Sequence, residues 1–256
     1  MKKVFAFLAI AAMIVACGEK DPQPGPNNEN KGNEEQNQNG NEGEPQVEPY
    51  VCPITIDGDF ADWAGLDEAT FAEAKGDPDA PHTALKVMKL YADELFVFIY
   101  FEWDKDQITH EPDVEHVPFH IYINGDGDAT TGGFADQFSD ACTDVLMEGF
   151  IYPDGAAIGS YEPGLYSWSG EANGSGWSWE DLGEIAGITS GAGIEGKYEL
   201  MIMRELYPLG TMADNASFGI DIQQSWDSVG VLPNAAVTDD NPGGHAPSLA
   251  IKVINK

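Results

Sequence analysis

The chain has 256 residues, 42% of them hydrophobic and 11% aromatic, which is enough for a sizeable core and an ordinary length for one all-β domain. Its 44 acids against 12 bases give a formal net charge of −32, which excludes nucleic acid as a partner and peripheral binding to anionic lipid through a basic patch. Cations, neutral sugars and simple solubility are compatible with that charge.

Lys2 and Lys3 precede an apolar run from Val4 to Val15. A run of about a dozen residues is too short to cross a hydrocarbon core of ~30 Å as a helix, and it reads as an export signal. Its ending, Ile14-Val15-Ala16-Cys17, resembles a bacterial lipobox. The resemblance implies cleavage before Cys17 and lipidation of its thiol; an ordinary secretory signal with a chance cysteine is the alternative. Each buried methylene of an acyl chain contributes ~0.8 kcal/mol, so a multi-chain anchor holds stably. Residues 18–50 are rich in Asn, Glu, Gln, Gly and Pro and lack periodic apolar positions. They cannot offset their chain entropy by burial and read as a disordered acidic linker. Gly18-Glu19-Lys20-Asp21 loosely resembles the charged stretch after the lipidated cysteine in surface-exposed lipoproteins of Bacteroidetes. The expected location is the outer membrane, facing outward, with a periplasm-facing lipoprotein as the alternative.

Residues 51–256 read as a single domain of short strands. Leu85–Tyr91 alternates apolar and polar, and Leu95–Trp103 is almost continuously apolar. Phe119–Ile123 and Val145–Tyr152 follow, the latter ending at a Pro153-Asp154-Gly155 turn. Leu165–Ser169 and Trp177–Trp179 alternate strictly around Asn173-Gly174-Ser175-Gly176, a hairpin pattern with a long loop. Tyr198–Met203, Ser217–Gln223 and Ser248–Val253 complete the set. Short helices are expected at Leu66–Ala74 and near Arg204–Leu209, where Pro208 limits the second. Many short strands with few helix signals predict an all-β, two-sheet antiparallel β-sandwich, jelly-roll-like.

Four segments, in order, resemble family 9 carbohydrate-binding modules and their DOMON-like relatives. They are Ile54-Thr55-Ile56-Asp57-Gly58 with Asp62-Trp63; Tyr91-Ala92-Asp93-Glu94-Leu95-Phe96-Val97-Phe98-Ile99-Tyr100 with Trp103-Asp104; Ile121-Tyr122-Ile123-Asn124-Gly125-Asp126-Gly127-Asp128 with Thr130-Thr131-Gly132; and Tyr198-Glu199-Leu200-Met201-Ile202. The resemblance implies a β-sandwich, frequent calcium binding and often sugar binding. Asn124 stands where many relatives carry Asp, which would remove one charge from a metal site.

Asn124, Asp126 and Asp128 alternate just after a strand, a spacing that suits oxygen ligands wrapped around Ca²⁺. The loop is not an EF-hand, since Ala129 and Ala135 occupy the positions where that motif requires Gly and Glu. Thr131, Asp136, Asp140 and Asp144 are further candidate ligands, and a solvated Asp/Gly turn is the alternative. A bound ion there would be structural, neutralising acids that repel each other.

Tyr166 and Trp168, with Trp177 and Trp179, could form an aromatic platform for sugar rings or could point into the core. Trp226, flanked by Gln223, Gln224 and Asp227, is a further candidate for a binding edge or a buried strand end. Cys52 and Cys142 either pair as a disulfide or are two buried thiols. His110, His116 and His120 lie near Glu111, Asp113 and Glu115, a loose grouping for a transition metal or plain loop histidines. No HExxH, GxSxG or P-loop occurs, and the chain is read as non-catalytic. The expectation is a surface lipoprotein that binds a glycan, stabilised by calcium. A structural or adhesive module for a protein partner is the alternative. A heme-binding DOMON-like domain using Met88, Met147, Met201 or Met203 is a remote one.

Overall fold

The computed structural model describes residues 50–108, 116–140, 142–152, 163–183, 189–206 and 210–254. The leader, Cys17, all but the last residue of the linker, the 153–155 turn, and His110, Glu111, Asp113 and Glu115 lie outside the described residues.

Within them the chain is an all-β sandwich of two antiparallel sheets. One sheet orders β1 (Phe71–Lys75), β2 (Leu85–Ala92), β3 (Phe96–Trp103), β9 (Lys197–Met203) and β8 (Thr189–Ile194). The other orders β13 (Asp227–Leu232), β12 (Ser217–Gln224), β4 (Val117–Asn124), β5 (Val145–Ile151), β6 (Gly164–Trp168) and β7 (Trp179–Asp181), with β14 (Leu249–Ala250) also paired to β12. A small separate ribbon joins β10 (Glu205–Leu206) to β11 (Gly210–Thr211).

The apolar run of β3 is buried on both faces, and the two faces have different partners. Phe101 faces the other sheet, stacked on Tyr198 at 5.2 Å and edge-on to Phe119 at 5.1 Å. Phe96 and Tyr100 face away, covered by the N-terminal segment through Tyr50 (5.6 Å), Phe60 (5.5 Å) and Trp63 (5.4 Å). Residues 50–63 therefore act as a lid on the first sheet. Met88, Met147, Met201 and Met203 all pack in the core.

Glu199 on β9 fastens this lid. Its Oε1 accepts the N–H groups of Asp57 (3.0 Å) and Gly58 (2.8 Å), and its Oε2 accepts Trp63 Nε1 (3.0 Å). Asp62 closes the loop by accepting Thr55 N–H at 2.9 Å. Two of the segments behind the family resemblance, Ile-Asp-Gly…Asp-Trp and Tyr-Glu, thus meet as one packing motif. Burial pushes the Glu199 carboxyl up to about 7, against the three hydrogen bonds that favour its charge.

Two expected helices are replaced. Over Leu66–Ala74 there is a 3-10 turn, Glu68–Thr70, capped by Asp67 Oδ1 on Ala69 N–H (3.0 Å), and then β1. The α-turn lies earlier, at Ala61–Ala64. Phe71 and Ala72 are buried because they pair with Tyr91 and Leu90 of β2, so strand pairing overrides helix propensity. Near Arg204, Glu205 pairs with Thr211 in the β10–β11 ribbon, and Tyr207, Pro208 and Leu209 of that expected helix lie outside the described residues.

Candidate functional site

Alternation along β4 sends Phe119, Ile121 and Ile123 into the core and Pro118, His120 and Tyr122 to the outer face of the second sheet. Register places Asp221 of β12 and Glu148 of β5 directly beside His120, one on each side. The three form a polar row across three adjacent strands. His120 Nε2 lies 2.9 Å from Glu148 Oε2, and the Glu148 side chain is partly exposed. Asp221 is fully buried. Its Oδ2 accepts Gln137 Nε2 (3.0 Å), Gln223 Nε2 (2.7 Å) and Ser228 Oγ (3.0 Å). His120 Nδ1 and Asp221 Oδ1 are buried without a hydrogen-bond partner. Burial pushes the Asp221 carboxyl up despite its three donors. Burial and the nearby Asp221 and Asp136 likewise raise the Tyr122 phenol.

Above this row lies a groove of about 930 Å³, lined in part by His120, Glu148, Phe150, Gln223, Trp177 and Trp226. Trp177 is 65% exposed and sets its ring edge-on to His120 at 6.2 Å. Trp226 is 95% exposed. Gln224 pairs with Asp227, so Ser225 and Trp226 form a two-residue hairpin loop, with φ of 50° and 73°. Two left-handed residues are the signature of a type I′ turn, whose usual occupants are Asn-Gly. A tryptophan held there, in solvent, at the mouth of a groove, has no packing reason to be there.

The other candidate aromatics fall elsewhere. Trp168 and Trp179 face each other across β6 and β7, edge-on at 5.1 Å. Trp168 is clamped against Gly133 and Gly170, positions where a Cβ would collide with its ring, with Gly174 close beside it, and its Nε1 donates to Glu171 O (3.0 Å). It is a structural ring. Tyr166 is half-buried on the same hairpin, paired across from Leu146. The four aromatics of the hairpin therefore do not make one flat platform; Trp177 and Trp226 border the groove. His116 stacks edge-on against Phe150 at 4.2 Å and lines the groove as well.

In the acidic loop the side chains turn back on their own backbone. Asn124 Oδ1 accepts Gly127 N–H and Asp126 Oδ1 accepts Asp128 N–H, each at 2.8 Å. Asp128 Oδ1 takes Thr130 N–H at 2.8 Å, while Thr131 Oγ1 donates to Asp126 Oδ2 at 2.9 Å. Asp144 Oδ2 accepts Gly125 N–H at 2.8 Å and Asp126 N–H at 3.2 Å. Burial, with Asp126 alongside, pushes the Asp144 carboxyl up. Asp136 is not with them: it lies on the wall of a second cavity beyond Trp226. Asp140 is spent on Ser248, accepting its N–H and hydroxyl. Among the described residues no three His, Cys, Asp or Glu side chains gather as a metal cluster.

The Cys52–Cys142 disulfide is not formed. Cys142 is a free, buried thiol under the acidic loop, donating to Ala129 O at 3.0 Å. Cys52 belongs to the N-terminal segment over the first sheet. Burial and the surrounding Asp140, Asp144, Asp128 and Asp126 push the Cys142 thiol up, so it stays protonated.

His120 as a groove residue, Glu148, Phe150 and Asp221 escaped the sequence reading. Their only signal is polar or aromatic residues at outward positions of three strands, and it becomes visible once register sets those strands side by side. No protein-family profile and no curated protein sequence matches this chain.

Proposed function

We propose that this chain is a non-catalytic cell-surface lipoprotein whose β-sandwich binds a neutral glycan in the groove between Trp177 and Trp226. The observation that carries the reading is Trp226, exposed in a left-handed turn at the groove mouth. Sugar rings present apolar CH faces to such indoles, and Glu148, Gln223 and Gln224 supply hydrogen-bonding groups for their hydroxyls. The motifs resembling family 9 carbohydrate-binding modules point the same way. Lys2, Lys3, the apolar run and the lipobox-like ending at Cys17 support export and lipid anchoring, with outward display at the outer membrane. Among the described residues no helix is long and apolar enough to cross a membrane.

Calcium belongs to the proposal as a stabiliser of the acidic loop. Its donors are hard oxygens, and a divalent cation held between Asp126 and Asp144 would offset the repulsion that raises the Asp144 carboxyl.

Electrophoresis through gels containing neutral plant and host polysaccharides tests the glycan reading. The native chain should be retarded by at least one of them. Trp226→Ala and Trp177→Ala should each weaken that affinity at least about tenfold, ~1.4 kcal/mol, with unchanged melting temperature. Retention of full affinity in both variants would overturn the reading.

A further inference from the structure

Trp226 and Gln223 border two cavities. On one side is the groove over His120 and Glu148; on the other is a second cavity of about 490 Å³ whose walls include Asp136, Gln137, Asp227 and His245. The β12–β13 turn stands between them, with Trp226 exposed over most of its surface and so open to both sides. Neither cavity is enclosed. A site that recognises a chain end needs a wall to stop the chain. Here the first cavity's boundary is an indole edge that is shared with its neighbour.

The linings also select charge. Among the described residues neither cavity is lined by a lysine or arginine, while Glu148, Asp136 and Asp227 contribute carboxylates. In a chain of net charge −32, that lining repels uronate- and sulfate-bearing polymers. The carboxamides of Gln223 and Gln137 can donate to and accept from neutral hydroxyls, and the carboxylates can accept from them.

From this geometry we infer that the two cavities are one continuous site that grips an internal stretch of a linear, uncharged polysaccharide, laid across Trp226 with both chain ends outside. This rests on the glycan reading above and extends it to a ligand class, since a single-groove binder needs neither the second cavity nor a free passage over the turn.

The test titrates the full chain, by tryptophan fluorescence, with linear neutral glucan, mannan and xylan oligosaccharides from disaccharide to hexasaccharide. Each is used with its reducing end intact and reduced to the alditol, beside polygalacturonate. Affinity should climb at least about tenfold from the shortest to the longest ligand of the responding series. Alditol formation should leave the long ligands unaffected, and polygalacturonate should not bind. Asp136→Trp, which fills the second cavity at an exposed position that does not line the first, should cost affinity for the hexasaccharide and none for the shortest binding ligand. A disaccharide that binds as tightly as a hexasaccharide overturns the continuous site while leaving the glycan reading standing. Loss of long-ligand binding on reduction does the same. Tight binding of polygalacturonate overturns the charge argument. Silence across every neutral series overturns both readings together.

Discussion

At the scale of single residues, burial of charge decides what the folded state tolerates. Glu199 is inaccessible to solvent and its carboxyl is pushed up to about 7 from an ordinary 4.5. The folded state therefore holds that proton more tightly than the unfolded chain does. Its contribution is fully present below about pH 4.5 and is lost as pH rises through about 7, a span of roughly 3 kcal/mol at most. Glu199→Gln should flatten the fall in denaturant stability across that window; a variant with the same pH slope as the native chain would show that Glu199 is not its source. Cys142 gives the complementary case of a neutral group kept neutral. Iodoacetamide should label it only after unfolding, and peptide mapping should find no Cys52–Cys142 link. Rapid native labelling would contradict its burial under the acidic loop. Neither behaviour was legible in the chain. Glu199 reads as an ordinary exposed position of an alternating strand until residues 50–63 fold over that face, and two leftover cysteines in an exported chain look like a pair until their locations are known.

At the scale of elements, the strongly patterned strands were legible and the weakly patterned ones were not. β2, β3, β4, β5, β9 and β12 fall within a residue or two of the apolar runs that announce them, because each carries its own core face. β8 escaped because its sequence, Thr-Ser-Gly-Ala-Gly-Ile, has almost no apolar mass; Gly191 and Gly193 are small so that Tyr198 of β9 can lie against them. β13 escaped because its turn breaks the usual chemistry, with a tryptophan where Asn-Gly is expected. In the glycan reading proposed above, that violation separates stability from binding. Holding a non-glycine residue in the left-handed region costs about 1 kcal/mol or more. Replacing Ser225-Trp226 by Asn-Gly should therefore raise the melting temperature, or at least keep it, while abolishing glycan retardation. A double variant that melts markedly lower would show that Trp226 packs for stability after all. The hairpin of β6 and β7 answers in the opposite sense. Trp168→Ala should empty the space between Gly133, Gly170 and Gly174 and cost about 3 kcal/mol or more of stability.

For the whole molecule, the excess of acids over bases sets the background against which any ion must be judged. A net charge of −32 makes the compact state repel itself, so sodium chloride alone should raise the melting temperature by screening, over a Debye length of about 10 Å at 0.1 M. A specific ion has to exceed that. Asp144 is half-buried, with its carboxyl pushed up by burial and by Asp126 beside it; without a cation its ionisation weakens the fold as pH rises through its raised range. A calcium ion between the two would offset that cost where sodium would not. Melting curves at matched ionic strength should then show calcium chloride above sodium chloride, with the difference erased by chelator. Asp144→Asn should raise the cation-free melting temperature and remove the calcium increment, because the amide keeps an oxygen for the Gly125 and Asp126 N–H groups and carries no charge to neutralise. If calcium and sodium curves coincide at equal ionic strength, the acidic loop is a self-satisfied turn, and the net charge is stabilised by screening alone.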